Sequence, residues 1–148
     1  MKYFTHECSF DIPNLAEDRT VNALTLHCPI TGSPFQVVVS RDELIGGEDL
    51  VVCIKRQVRM MTRHVSNFRE LARREIFRNS NGLQALEIES AFRQANSNYY
   101  QVQAVIITRP PSLLVLTLSN QTPLREPHRE TWATILDTYR LREVIQQG

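Results

Sequence analysis

Long hydrophobic runs are missing from this 148-residue chain. Its longest apolar stretches, such as the run Leu113-Leu114-Val115-Leu116, fall far short of the roughly 20 residues that a membrane helix needs. The opening Met1-Lys2-Tyr3-Phe4-Thr5-His6-Glu7 lacks the apolar core of a secretory signal, so a cytoplasmic location is expected. With 5 Gly and 7 Pro, collagen-like and low-complexity classes are excluded. Charge of one sign is also lacking. Seventeen Lys+Arg against 16 Asp+Glu leave +1, so nothing global draws in nucleic acid or an anionic membrane. Cysteine is sparse and odd in number, without a C-x-x-C pair, which predicts reduced, partly buried thiols. The pairs His6/Cys8 and His27/Cys28 do not have the four-ligand spacing of a zinc site, so no metal is expected.

Signatures of catalysis and cofactor binding are missing too. Gly46-Gly47 stands without a phosphate-loop or dinucleotide pattern, and no serine sits in a G-x-S-x-G elbow. Glu48/Asp49 read as a helix start, and Glu87/Glu89 as the wet face of a strand. The expectation is therefore a non-enzymatic protein without cofactor.

What is present is 42% hydrophobic residues, enough for one domain over residues 1–148 with a real core. Fifteen of the 17 basic residues are Arg, and Asn plus Gln total 17. Both residue types hydrogen-bond well and tolerate partial burial.

Short alternating runs at Lys2–Thr5 and Cys8–Ile12 precede Val21–Cys28 and Phe35–Ser40, which the turn-rich stretch Pro29–Pro34 joins into a hairpin. Symmetric closure of that turn would set Leu24 opposite Val39 and Asn22 opposite Arg41, with Leu24, Leu26, Phe35, Val37 and Val39 on one face. A helical pattern then runs from Gly46-Gly47-Glu48-Asp49 to about Ser66. Leu50, Val51, Ile54, Val58, Met61 and Val65 form its core stripe; Lys55, Arg56, Arg59, Thr62 and Arg63 lie opposite; Cys53, Gln57, Met60 and His64 make a semi-polar flank.

Strands are predicted over Phe68–Phe77, Ala85–Gln94, Tyr99–Thr108 and Leu113–Ser119. A last helix starting near Pro127 buries Trp132, Ile135, Leu136 and Tyr139. This order reads as α+β. The basic stretch 55–78, with only Phe68 and Phe77 for stacking, reads as a solvated face rather than a nucleic-acid patch.

Gln101 and Gln103 stand on an otherwise apolar strand face. Either they lie at a sheet edge and bond water or a loop, or they line a groove for an apolar partner that offers carbonyls or small hydroxyls. An unpaired buried amide costs about 1–3 kcal/mol, so such a groove prefers ligands that satisfy it. A nine-residue strand such as Tyr99–Ile107 spans about 30 Å, close to the hydrocarbon length of a membrane helix.

The segments Asp18-Arg19-Thr20-Val21-Asn22-Ala23-Leu24, Val37-Val38-Val39-Ser40-Arg41-Asp42-Glu43-Leu44, Gly47-Glu48-Asp49-Leu50 and Lys55-Arg56-Gln57 occur in order. Gln101-Val102-Gln103-Ala104-Val105, Leu114-Val115-Leu116-Thr117 and the stretch Ile135–Arg142 follow. This set resembles the Eag (effector-associated) chaperones of bacterial type VI secretion, which are related to DcrB. The resemblance spans about residues 8–142. It implies a PsbP-like fold, with a curved antiparallel sheet, one long helix after the first hairpin and a C-terminal helix. It implies a cytoplasmic, non-catalytic homodimer that holds the N-terminal transmembrane helices of a PAAR-domain toxin soluble before export on the secretion spike. It implies a groove at Asn22, Leu24, Val37, Val39, Gln57, Gln101 and Gln103, to which Met60 and Val105 are added from their positions on the helix flank and strand face. The alternative is an adaptor domain of the same fold that binds a soluble protein.

Overall fold

The structure is a computed structural model that describes residues 2–142 except 6, 15 and 17–19. His6, considered above as a metal ligand, and the Asp18-Arg19 start of the first resembling segment lie outside the described residues. A small hairpin, β1 (Lys2–Phe4) and β2 (Ser9–Asp11), precedes the main sheet. That sheet contains β3 (Asn22–His27), β4 (Pro34–Glu43), β5 (Ser66–Arg78), β6 (Leu83–Gln94), β7 (Ser97–Ile107) and β8 (Ser112–Asn120). It is antiparallel throughout, in the order β3-β4-β8-β7-β6-β5. Helix α1 (Leu50–His64) follows the β3–β4 hairpin and α2 (Glu126–Thr138) follows the last strand. The α+β class and both helix positions agree with the sequence reading.

The two helices cover opposite faces of the sheet. On one face Trp132 and Leu136 of α2 meet Phe35, Val37, Val102, Ala104, Ile106, Leu116 and Leu118. On the other, Cys53 and Ile54 of α1 meet Leu86, Ile88, Val105, Leu113 and Val115. Central strands are therefore apolar on both sides, because each alternate side chain finds a helix.

Several local features have identifiable causes. Asp49 caps α1 by accepting from the Val52 backbone N–H at 2.9 Å, and Glu48 accepts from Ile45 N at 3.0 Å. The β6–β7 turn is two residues, Ala95 and Asn96, both at positive φ (51° and 64°), the geometry that matches strand twist in tight hairpins. The side chain of Asn81, in the β5–β6 turn, donates to the carbonyls of Leu136, Asp137 and Tyr139 at 2.9, 3.1 and 3.0 Å. A turn residue thus satisfies the C-terminal end of α2, where the helix leaves carbonyls without partners.

Two expectations need correction. The hairpin pairs Leu24 with Val37 and Asn22 with Val39, two residues away from symmetric closure about Pro29–Pro34. Cys28 and Ser33 close the loop instead, through Cys28 N to Ser33 O at 2.9 Å. A shift of two preserves the faces, so the shared face of Leu24, Leu26, Phe35, Val37 and Val39 stands. Helix α1 is rotated relative to its expected stripe. Cys53 and Ile54 are fully buried, while Val51, placed in the core stripe, is 44% exposed. The rotation carries the Cys53/Gln57 flank onto the sheet, where Gln57 Nε2 donates to Asp42 Oδ2 at 3.1 Å.

Candidate functional site

The α1 side of the sheet changes character along its strands. Under the helix it is aliphatic. Further along, the register sets Gln103 between Ile88 and Thr117, and Gln101 between Ser90 and Ser119. It continues outward with Ser119 beside Gln36 and Thr117 beside Val38, then Val38 beside Ala23 and Gln36 beside Thr25. The result is a band of amides and small hydroxyls crossing five strands of an otherwise apolar floor. Gln103 Nε2 donates to Thr117 Oγ1 at 3.1 Å. Gln101 is 5% exposed and Ser90 1%. The Gln101 amide nitrogen and the Ser90 hydroxyl are buried with no hydrogen-bond partner among the described residues. Each such group costs about 1–3 kcal/mol of stability while unpaired.

The structure divides the nine predicted groove residues between the two faces of the sheet. Gln57, Met60, Gln101, Gln103 and Val105 belong to the α1 side. Of these Met60 is exposed, Gln57 and Gln103 are half-buried, and Gln101 and Val105 are buried. Asn22, Leu24, Val37 and Val39 face the α2 side, since it is Val38 that shares a face with Thr117 and Gln103. Val37 lies within the α2-side core and half-buried Val39 packs against it. Leu24 is exposed, and Asn22 accepts from Arg41 Nη1 at 3.2 Å. One protomer does not bring the two groups together. β7 is a central strand, so Gln101 and Gln103 do not lie at a sheet edge.

The α2 side holds an ionic cluster that sequence reasoning missed. Glu87 and Glu89 are not a wet strand face. Glu87 is 5% exposed, receives the Trp132 indole N–H at 2.5 Å and pairs with Arg74. Arg129 grips Glu89 with both terminal nitrogens, at 2.8 and 3.1 Å, and Arg74 reaches it at 3.5 Å. The bidentate bond from Arg129 holds the Glu89 carboxyl below the usual carboxylate range. His128 is also interior. It meets Phe35 edge-on and accepts the Arg125 backbone N–H at Nδ1, at 3.0 Å. Burial, then the charge of Arg125, pushes its pKa down, so it stands neutral. No local pattern signals these contacts, because Glu87 and Trp132 are 45 residues apart. On the α1 side, the Arg56 guanidinium at 2.8 Å holds the Glu48 carboxyl low. Cys28 and Cys53 are buried free thiols and Cys8 is exposed. Among the described residues no group of three or more His, Cys, Asp or Glu could hold a metal ion, and no helix is long and apolar enough to cross a membrane.

Comparisons with known proteins agree with this architecture. The chain is 26% identical over 137 residues to "Effector EagT6" of Pseudomonas aeruginosa, covering 92% of each protein. Its fold is similar to the crystal structure of a Pseudomonas aeruginosa protein of unknown function, with a TM-score of 0.77 at 24% identity over 97% of this chain and 98% of the other. The DcrB family model matches residues 7–138. The resemblance to the effector-associated chaperones and their DcrB relatives is thereby borne out, and the chain belongs to the DcrB family.

Proposed function

We propose that this protein is a non-enzymatic, cytoplasmic chaperone of type VI secretion. It holds the N-terminal transmembrane helices of a PAAR-domain effector until export on the secretion spike. The similarity to Effector EagT6 supports the system, and the band of amides and hydroxyls on the α1-side floor supports the kind of client. A membrane helix in water exposes apolar surface worth about 25 cal/mol per Å² when covered. It also presents small residues and Ser/Thr hydroxyls that meet neighbouring helices in a bilayer. Gln103 and Gln57 beside Met60 offer such a helix the polar contacts of a neighbouring span, and the unpaired Gln101 amide just beneath the floor is a donor that the helix can satisfy once the floor parts.

Val105 and Val37, both buried, support this surface from the two cores rather than touching the client. Asn22, Leu24 and Val39 face the other side of the sheet, so their share in binding rests on a homodimer in which a second copy presents its hairpin.

The observation that carries the reading is the unpartnered Gln101 amide in mid-sheet. Its test is co-expression with the N-terminal segment of a PAAR effector. Gln101→Leu and Gln103→Ala should each lower client recovery severalfold. Gln101→Leu should melt no lower than the parent, because it removes an orphaned donor. Undiminished recovery by both variants refutes the groove. A toxin equally soluble without this protein favours a soluble-partner adaptor instead.

A further inference from the structure

A second surface lies at the far end of α2, away from the amide band. A cleft of about 540 Å³ opens between the end of β4, the β7–β8 turn and the segment that follows α2. Its floor is apolar, with Leu114 and the ring of Tyr139. Its rim carries Arg41, Arg109, Arg140 and Arg142, all exposed. Some arginines elsewhere have acids of their own, Arg56 with Glu48, Arg73 with Glu70, Arg78 with Asp137 and Arg129 with Glu89, whereas others, such as Arg59 and Arg63 on α1, stand on a solvated face without an apolar floor beside them. The four at the cleft have no carboxylate within ion-pair distance among the described residues. Arg41 spends its Nη1 on the Thr20 carbonyl at 2.8 Å and on Asn22 Oδ1. Asp42 and Glu43 also line the cleft. Asp42 is engaged by Gln57 and by the Glu43 N–H.

We propose that this cleft docks an acidic segment of a partner protein, one that carries carboxylates interleaved with an apolar side chain. Planar guanidiniums at the rim match carboxylates bidentately, and an apolar floor receives the side chain between them. Asp42 and Glu43 argue against a continuous phosphate backbone, which would lie against them. The formal charge of +1 supplies no extended field for such a polyanion either. The carboxylate spacing of a peptide can avoid both acids.

The probe is a short fluorescein-labelled peptide of repeated Glu-Leu-Ser units, titrated into the full chain by anisotropy. Its Gln-Leu-Ser analogue and an oligothymidylate of equal charge run alongside. The glutamate peptide should bind, more weakly at high salt, and the glutamine analogue should not. Each exposed pair contributes a factor of about two to three, so the combined Arg109→Gln, Arg140→Gln, Arg142→Gln variant should bind about tenfold more weakly. Its melting point should match the parent, since these side chains are exposed. A charge-matched control, Lys55→Gln, Arg59→Gln, Arg63→Gln on the solvated face of α1, should bind like the parent. The proposal is overturned by no binding, by equal binding of the two peptides, by tighter binding of the oligothymidylate, or by equal losses in the variant and the control. None of these outcomes bears on client recovery by Gln101 and Gln103, so the two readings fail separately.

Discussion

Replacing Glu87 by Ala is the sharpest perturbation of what fastens α2 to the sheet. Glu87 is buried on β6 and takes the Trp132 indole N–H at 2.5 Å. Removing the carboxylate leaves that N–H buried without an acceptor, at a cost of about 1–3 kcal/mol. Arg74, half exposed and still within 3.5 Å of Glu89, returns to solvent and Glu89 at little cost. The expected loss is therefore about 1–3 kcal/mol. At about 2–4 °C per kcal/mol for a chain of this length, the melting point should fall by roughly 2–12 °C. Trp132→Phe removes the other partner and adds a packing loss. The double variant closes a thermodynamic cycle whose coupling energy should be about 1.5–3 kcal/mol, the range for a hydrogen bond to a charged group. Urea unfolding followed by far-UV circular dichroism measures all four proteins. A coupling energy below about 0.5 kcal/mol, the ordinary scatter between independent sites, refutes the claim that this bond fastens the helix.

Other outcomes follow from neighbouring contacts. His128 has a folded-state pKa below its unfolded value, so the unfolded chain binds the extra proton first and stability rises with pH across that window. Its contribution is complete above the ordinary histidine value of about 6.5 and is lost as pH falls through the lowered folded pKa. Urea midpoints taken across that range should drop for the parent and drop less for His128→Gln; identical slopes contradict the assignment. Asn81→Ala removes the donor that serves three carbonyls at the end of α2 and should cost about 1–3 kcal/mol. Asn81→Asp should fare no better, because it turns an acceptor toward those carbonyls. A thermal melt of Asn81→Asp at the parent's midpoint would show that the cap contributes nothing.

The elements themselves were readable in the sequence because period two and period 3.6 differ strongly over runs of this length. Which face of each strand does what was not. The strand Tyr99–Ile107 is apolar on both sides, so alternation alone could not tell the α1 side from the α2 side. The hairpin residues Leu24, Val37 and Val39 were accordingly grouped with glutamines that lie across the sheet from them. The rotation of α1 was hidden for a related reason. Val51 and Cys53 are both acceptable core residues, and only the reach of Gln57 to Asp42 decides between them. Glu87 and Glu89 looked solvated because their partners, Trp132 and Arg129, are supplied by a helix at the other end of the chain. The glutamines at 101 and 103 were legible as oddities, since an amide amid aliphatic residues stands out without any tertiary knowledge.

Trp132 is the single tryptophan of the chain, and it lies on the helix whose attachment is in question. Its emission therefore acts as a built-in reporter of one seam. An indole held against a buried carboxylate fluoresces differently from one in water, whereas far-UV signal follows the strands and both helices together. Emission that reddens before ellipticity changes would reveal α2 peeling off an intact sheet. Coincident curves would mean that sheet and helix come apart as one cooperative unit.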